Sequence, residues 1–225
     1  MPSRNVLKNY LEDGVYHVYN RGVERRDIFL DNQDYEYFLY LLKTYLVPPQ
    51  KGWDPVQGPT LREKPNFADE IVLLAYCLMP NHFHLLIKQK NIDSMPRFVK
   101  CVCTNYSMYF NKKYDRVGSL FQGHYKAILI ANDNYLLHLT RYIHLNPTTQ
   151  KGWDPVQGPT LLRTAWSSYE NYLGLRRMEW LDPGLVLGLF DRGVGLYGDS
   201  FGSYKSFVEN YAKDATEILG RITLE

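Results

Sequence analysis

Apolar and polar positions along the chain fall into two periodicities, one of two residues and one close to that of a helix. Val15–Asn20 (VYHVYN), bounded by Gly14 and Gly22, alternates and predicts a strand, whereas Asp34–Leu46 (DYEYFLYLLKTYL) has helical spacing after an Asp cap. Pro48 and Pro49 stop that helix, a Gly/Pro-rich loop follows, and Ile71–Leu78 (IVLLAYCL) is a continuous apolar run of buried-strand length. Met79–Asn81 predicts a tight turn into a third strand, His82–Gln89 (HFHLLIKQ), so the two strands pair as an antiparallel hairpin, expected at the centre of the sheet.

Ser94–Phe110 carries Phe98, Val102, Tyr106 and Tyr109 near helical spacing behind a Ser cap, and Leu120–Ile130 is strand-like. Asn134–Asn146 predicts a further helix, stopped by Pro147. The order β-α-β-β-α-β predicts an α+β fold: a ferredoxin-like, split β-α-β antiparallel sheet of about four to five strands, with an appended tyrosine-bearing helix. From about Trp166 the chain is punctuated by glycine and predicts an irregular C-terminal tail packed on the domain.

With 225 residues, 45% hydrophobic and 22% charged, the chain is long enough for one substantial core and is not of disordered composition. A formal net charge of +2 is too mild to mark a nucleic-acid binder, so local clusters must carry that argument. No apolar run reaches the roughly 18 residues of a membrane span, and the N-terminus lacks a signal-length apolar stretch, which predicts a soluble cytoplasmic protein. Cys77, Cys101 and Cys103 are odd in number and lack CxxC spacing, so they read as small buried residues.

Side chains of a strand alternate between faces, so the imidazoles of His82 and His84 project together while Phe83 enters the opposite layer. Two imidazoles suit a divalent cation, and with oxygen ligands can help to hold Mg²⁺ or Mn²⁺; a further protein ligand is needed. In the tyrosine helix, Leu136, Leu139 and Ile143 form an apolar stripe, while Tyr135, His138, Tyr142 and Asn146 recur on a neighbouring face. If that face is turned to the histidines, Asn146 Oδ1 can complete the ligand set and Tyr142 Oη can reach a metal-bound phosphate.

The segments AYCLMPNHFHLLIKQ (Ala75–Gln89), GSLFQGHYKAILI (Gly118–Ile130) and YIHLNP (Tyr142–Pro147) resemble the REP-associated tyrosine transposases, a branch of the single-tyrosine HUH transposases. VYNRGVERRDIF (Val18–Phe29) and WSSYENYLG (Trp166–Gly174) add to the likeness. The resemblance implies that His82, His84 and Asn146 bind the catalytic metal and that Tyr142 attacks single-stranded DNA beside a hairpin. The products would be a 5′-phosphotyrosine link and a free 3′-hydroxyl able to reverse the step. It leaves open a monomer or a homodimer.

Candidate DNA contacts are Arg21, Arg25 and Arg26, then Lys112, Lys113 and Arg116, then Gln122, His124 and Lys126, interleaved with aromatic residues suited to base stacking. His138, one turn before Tyr142, could assist proton transfer, although a solvated or core-satisfied histidine is the stronger reading for it and for His144. A hairpin-binding regulator with a vestigial site, and a phosphodiesterase that activates water, are the competing classes.

Gln50–Leu61 and Gln150–Leu161 are the same twelve residues, QKGWDPVQGPTL, between dissimilar flanks. No repeated hydrophobic pattern accompanies them, so the loop alone is duplicated, in keeping with in-frame insertion of a short dispersed DNA repeat. The expected organisation is a catalytic domain over 1–149 interrupted at 50–61, the second copy at 150–161, and an extension over 162–225.

Overall fold

The structure, a computed structural model, describes residues 10–48, 65–149, 165–191 and 203–209. Both copies of the repeat lie outside these residues. The described elements are β1 (Val15–Arg21), α1 (Asn32–Leu46), β2 (Ile71–Met79), β3 (His82–Gln89), α2 (Ser94–Lys113), β4 (Lys126–Leu129), α3 (Asp133–Leu145), α4 (Tyr169–Tyr172), α5 (Gly184–Asp191) and α6 (Tyr204–Glu209). The strands form one four-stranded sheet in the order β2-β3-β1-β4, antiparallel throughout, which is the order of the split β-α-β arrangement.

The pleat divides the apolar residues between two layers. Tyr16, Val18, Leu73, Tyr76, Leu78, Phe83, Leu85 and Ile87 join α1 and α2 in one core, and Leu74, Ala75, Cys77, Met79 and Leu86 join α3 to α6 in another. A register shift between Leu73 and Ala75 lets Leu74 and Ala75 enter the same layer. The unbroken apolar run of β2 therefore reflects burial on both faces.

Helix ends follow local chemistry. Asp31 caps α1 in a reciprocal box with Asp34, so the helix begins two residues earlier than its apolar spacing suggests. Asn132 caps α3 by accepting from the Tyr135 amide. Ser94 is not the cap of α2: Asp93 occupies that position and the Ser94 hydroxyl donates to Glu70 Oε2 at 2.7 Å.

Two expectations are corrected. The β2–β3 hairpin is not central, because β1 pairs with β3 and leaves β2 outermost; residues near 166–182 cover that edge through Leu78 N to Trp166 O, Ser168 N to Tyr76 O and Asp182 N to Leu73 O. The extended run Leu120–Ile130 yields only the four residues of β4 and an isolated bridge at Phe121, because Gly123 (φ 73°) takes a left-handed conformation that interrupts pairing between them. The tail is likewise more regular than expected, since α4, α5 and α6 pack on the α3 layer.

Candidate active site

Strand register assembles one polar patch on the α3 face of the sheet. Arg21 lies opposite His82, and Tyr19 lies opposite both His84 on β3 and Lys126 on β4. Phe83, between the histidines, is fully buried in the other core, so the hydrophobic residue of the His-x-His triplet anchors the strand that aims them.

Each of the two imidazoles uses Nδ1 away from the patch. Asn81 Nδ2 donates to Arg25 O, which orients the amide so that Asn81 Oδ1 faces His82 Nδ1 at 2.6 Å. His82 Nδ1 is thus the protonated nitrogen, and Nε2 presents a lone pair to Asn146 Oδ1 at 3.3 Å. Two acceptors face each other there. His84 Nδ1 lies 2.8 Å from Nε2 of the buried His17, while His84 Nε2 is buried without a hydrogen-bond partner among the described residues.

Burial, opposed by the Asn146 contact and aided by the Arg21 charge, lowers the His82 pKa to about 4. His84 lies well below its ordinary value through burial and then the neighbouring His17 and His82, and burial alone lowers His17 to about 3. Burial thus disfavours the charged form of all three rings.

A divalent cation fits this donor set. The His82 and His84 rings lie with centroids 4.9 Å apart beside the Asn146 amide oxygen, and the 3.3 Å from His82 Nε2 to Asn146 Oδ1 is close to the separation of about 3 Å expected between neighbouring ligands of an ion bound at about 2.1 Å. Among the described residues no three His, Cys, Asp or Glu side chains group as a metal cage.

Asn146 stands at the C-terminal cap of α3, where the chain enters a 3-10 turn over Asn146–Thr149. One turn earlier, Tyr142 sets its ring edge-on to His84, with centroids 5.7 Å apart and planes at 85°. Tyr19 and Tyr135 lie close enough to feel Tyr142: burial first, then its neighbours, pushes Tyr135 up to about 12.

The other histidines of α3 belong to the core. His138 is buried and bonded to Arg141 Nη2 at 2.7 Å, with burial and then the Arg141 charge lowering it to about 4. His144 contacts Tyr204 Oη and Ser168 Oγ, each at 2.8 Å. Arg141 also lies 4.3 Å over the Phe207 ring, so α6 fixes the helix that carries Tyr142.

The candidate DNA contacts separate. Tyr19, Asn20, Arg21, Gln122, His124 and Lys126 line one recess beside His82, with Arg21 Nη2 donating to Gln122 Oε1 at 3.1 Å and Lys126 Nζ lying 5.6 Å over the Tyr19 ring. Arg25 and Arg26 adjoin the β2–β3 turn, with Arg26 paired to the exposed Glu24 at 3.4 Å. Lys112 is exposed, Arg116 bonds Asn111 over the Phe110 ring, and Lys113 is held by Asp31 and Asp34 at 2.8 Å. That cluster sits at the end of α2, in the helical layer away from the histidines.

His17, Tyr19 and Asn81 are site neighbours that motif spacing did not single out. Alternation along VYHVYN places His17, Tyr19 and Arg21 on one face, but only the strand order reveals that His84 shares it.

Residues 65–146, from the strand before the histidines to Asn146, match the family model of IS200-like transposases. Over this segment the chain resembles the IS200-like transposases. The family is one of DNA-processing enzymes, and its matched segment contains His82, His84, Tyr142 and Asn146. No curated protein matches the chain. Among solved structures, a REP-associated tyrosine transposase bound to a REP hairpin is similar at 16% identity and a TM-score of 0.49, covering 80% of this chain and 92% of the other. A candidate transposase from Deinococcus radiodurans R1 is similar at 15% identity and a TM-score of 0.37, covering 64% and 95%. Among the described residues no helix is long and apolar enough to cross a membrane.

Proposed function

We propose that this transposase cuts and rejoins single-stranded DNA beside hairpin-forming palindromes, using Tyr142 as nucleophile and a divalent cation, Mg²⁺ or Mn²⁺, held by His82, His84 and Asn146. The observation that supports the reading is the placement of the His82 and His84 rings, 4.9 Å apart, beside the Asn146 amide oxygen and the Tyr142 ring. The hairpin substrate rests on the sequence resemblance.

A bound cation would neutralise charge on the scissile phosphate and polarise its phosphorus, which matters because a phenol of ordinary pKa about 10 is a weak nucleophile at pH 7. The protein's own contribution is placement. Tyr142 Oη forms a bond to phosphorus as the bond to the 3′-oxygen breaks, leaving the phosphate on Tyr142 and the 3′-oxygen as a hydroxyl. The phenol proton passes to water, since His138 and His144 are turned into the core. Attack by a 3′-hydroxyl on the phosphotyrosine reverses the bond exchange and returns the phenol, so joining to a different 3′-end is strand transfer.

Arg21, Gln122, His124 and Lys126 would hold the backbone leading to that phosphate, with Tyr19 as a stacking surface. The test compares wild type with Tyr142→Phe on labelled hairpin DNA with Mg²⁺ or Mn²⁺, resolved on a denaturing gel. A metal-dependent protein-linked strand in wild type alone is the expected result. Binding without an adduct across varied hairpins favours a non-cleaving regulator, and cleavage that survives in Tyr142→Phe favours activated water.

A further inference from the structure

His17 is fully buried on β1, and its ring stacks on that of His84 at an interplanar angle of 16°. A single hydrogen can occupy the 2.8 Å gap between His17 Nε2 and His84 Nδ1, so two arrangements are open to the neutral pair. In one, His17 Nε2–H donates to His84 Nδ1 and the single ring proton of His84 sits on Nε2, blocking that nitrogen as a ligand. In the other, His84 Nδ1–H donates to His17 Nε2 and His84 Nε2 is bare.

We propose that His17 is a positioning residue for metal binding: by accepting the His84 Nδ1 proton it selects the tautomer, and fixes the ring orientation, that offers His84 Nε2 to the cation. The proposal rests on the reading of His84 as a ligand. Three observations carry it together: the short contact, the absence of a partner for buried His84 Nε2, and the parallel role of Asn81, which fixes His82 through the same nitrogen. Burying an imidazole whose outer nitrogen, His17 Nδ1, has no hydrogen-bond partner is costly for packing alone, since an aliphatic side chain would fill the space without it. Accepting the Nδ1 proton of a ligand imidazole accounts for retaining the ring.

The test measures Mn²⁺ binding to the full chain by the loss of free-ion signal in electron paramagnetic resonance, for wild type, His17→Leu, His17→Gln and His84→Ala. His17→Leu should weaken binding about 10–100-fold, while His17→Gln, whose amide oxygen can accept the proton, should bind more tightly than the leucine variant. Equal loss in the glutamine and leucine variants marks a packing role and overturns the proposal. So does wild-type affinity in His17→Leu when His84→Ala loses binding. Unchanged affinity in His84→Ala overturns the ligand reading itself and this inference with it. If His17→Leu fails to fold, ¹⁵N imidazole spectra of the metal-free wild type in chelator decide: protonation of His84 at Nδ1 is expected, and protonation at Nε2 overturns the proposal.

Discussion

His144 makes the fold acid-sensitive by an amount that can be isolated. Its ring is fully buried between Tyr204 Oη and Ser168 Oγ, and burial lowers its pKa to about 3. The unfolded chain returns it to about 6.5, so the unfolded state binds the proton first as pH falls. The stability is therefore fully present above about pH 6.5 and is lost progressively toward about 3. Between pH 7 and pH 5, one such group costs about 2 kcal/mol, at about 1.4 kcal/mol per pH unit below 6.5.

Other buried histidines add to the acid loss, but they are the same in wild type and in His144→Gln, which cannot titrate. Urea unfolding of both proteins at pH 7 and pH 5, in chelator and followed by tryptophan fluorescence, isolates the difference. The variant is expected to be less stable at pH 7 yet to lose about 2 kcal/mol less on acidification. Equal losses in the two proteins would show that His144 is not held neutral in the core, and the account of α3 anchoring would fall with it.

Further perturbations separate the site from its scaffold. Asn146→Ala should abolish the protein-linked strand and weaken Mn²⁺ binding while leaving hairpin binding in chelator unchanged; retained Mn²⁺ affinity would remove Asn146 from the ligand set. Arg21→Ala and Lys126→Ala should each lower the slope of log affinity for single-stranded DNA against log salt by about 0.7, and an unchanged slope in titrations excludes a phosphate contact. Asp34 accepts from Leu30 N, Tyr114 Oη, Tyr109 Oη and Lys113 Nζ with no exposure of its own, so Asp34→Ala should destabilise by about 3 kcal/mol in urea melts, the low end of the range because Lys113 keeps Asp31. Asn66 Nδ2 to Val47 O at 2.6 Å and Phe67 N to Tyr45 O at 2.8 Å already close the chain across residues 49–64, so deletion of 50–61 should shift stability by less than about 1 kcal/mol; a larger loss would mean the copied loop supports the fold.

The element order was legible because each period was long and bounded: Gly14 and Gly22 around the first strand, a two-residue turn between β2 and β3, Pro147 after the tyrosine helix. The strand order was not visible locally. IVLLAYCL announces burial on both faces, which suits a central strand, yet β2 lies outermost, because the segment near 166–182 supplies the cover that a neighbouring strand would have given. A sequence period reports how much of a strand is buried, not what buries it. Likewise, Lys112, Lys113 and Arg116 read as one basic cluster, but Lys113 has its charge met by two carboxylates contributed from the start of α1, some 80 residues away.

The site follows the same division between local and long-range information. His82, His84, Tyr142 and Asn146 were legible because strand alternation and one helical turn put each pair on a common face. His17 and Tyr19 obey the same alternation, but they become relevant only when β1 is inserted beside β3 with Tyr19 opposite His84. That pairing turns an ordinary strand histidine into the hydrogen-bond partner of a candidate ligand, and it turns the arginine two positions beyond Tyr19 toward His82. A one-residue slip of β1 against β3 would turn all three polar side chains into the opposite core and Tyr16 and Val18 out of it. The apolar residues Tyr16 and Val18, locked against α1 and α2, therefore set the geometry of the polar face as firmly as any contact within it.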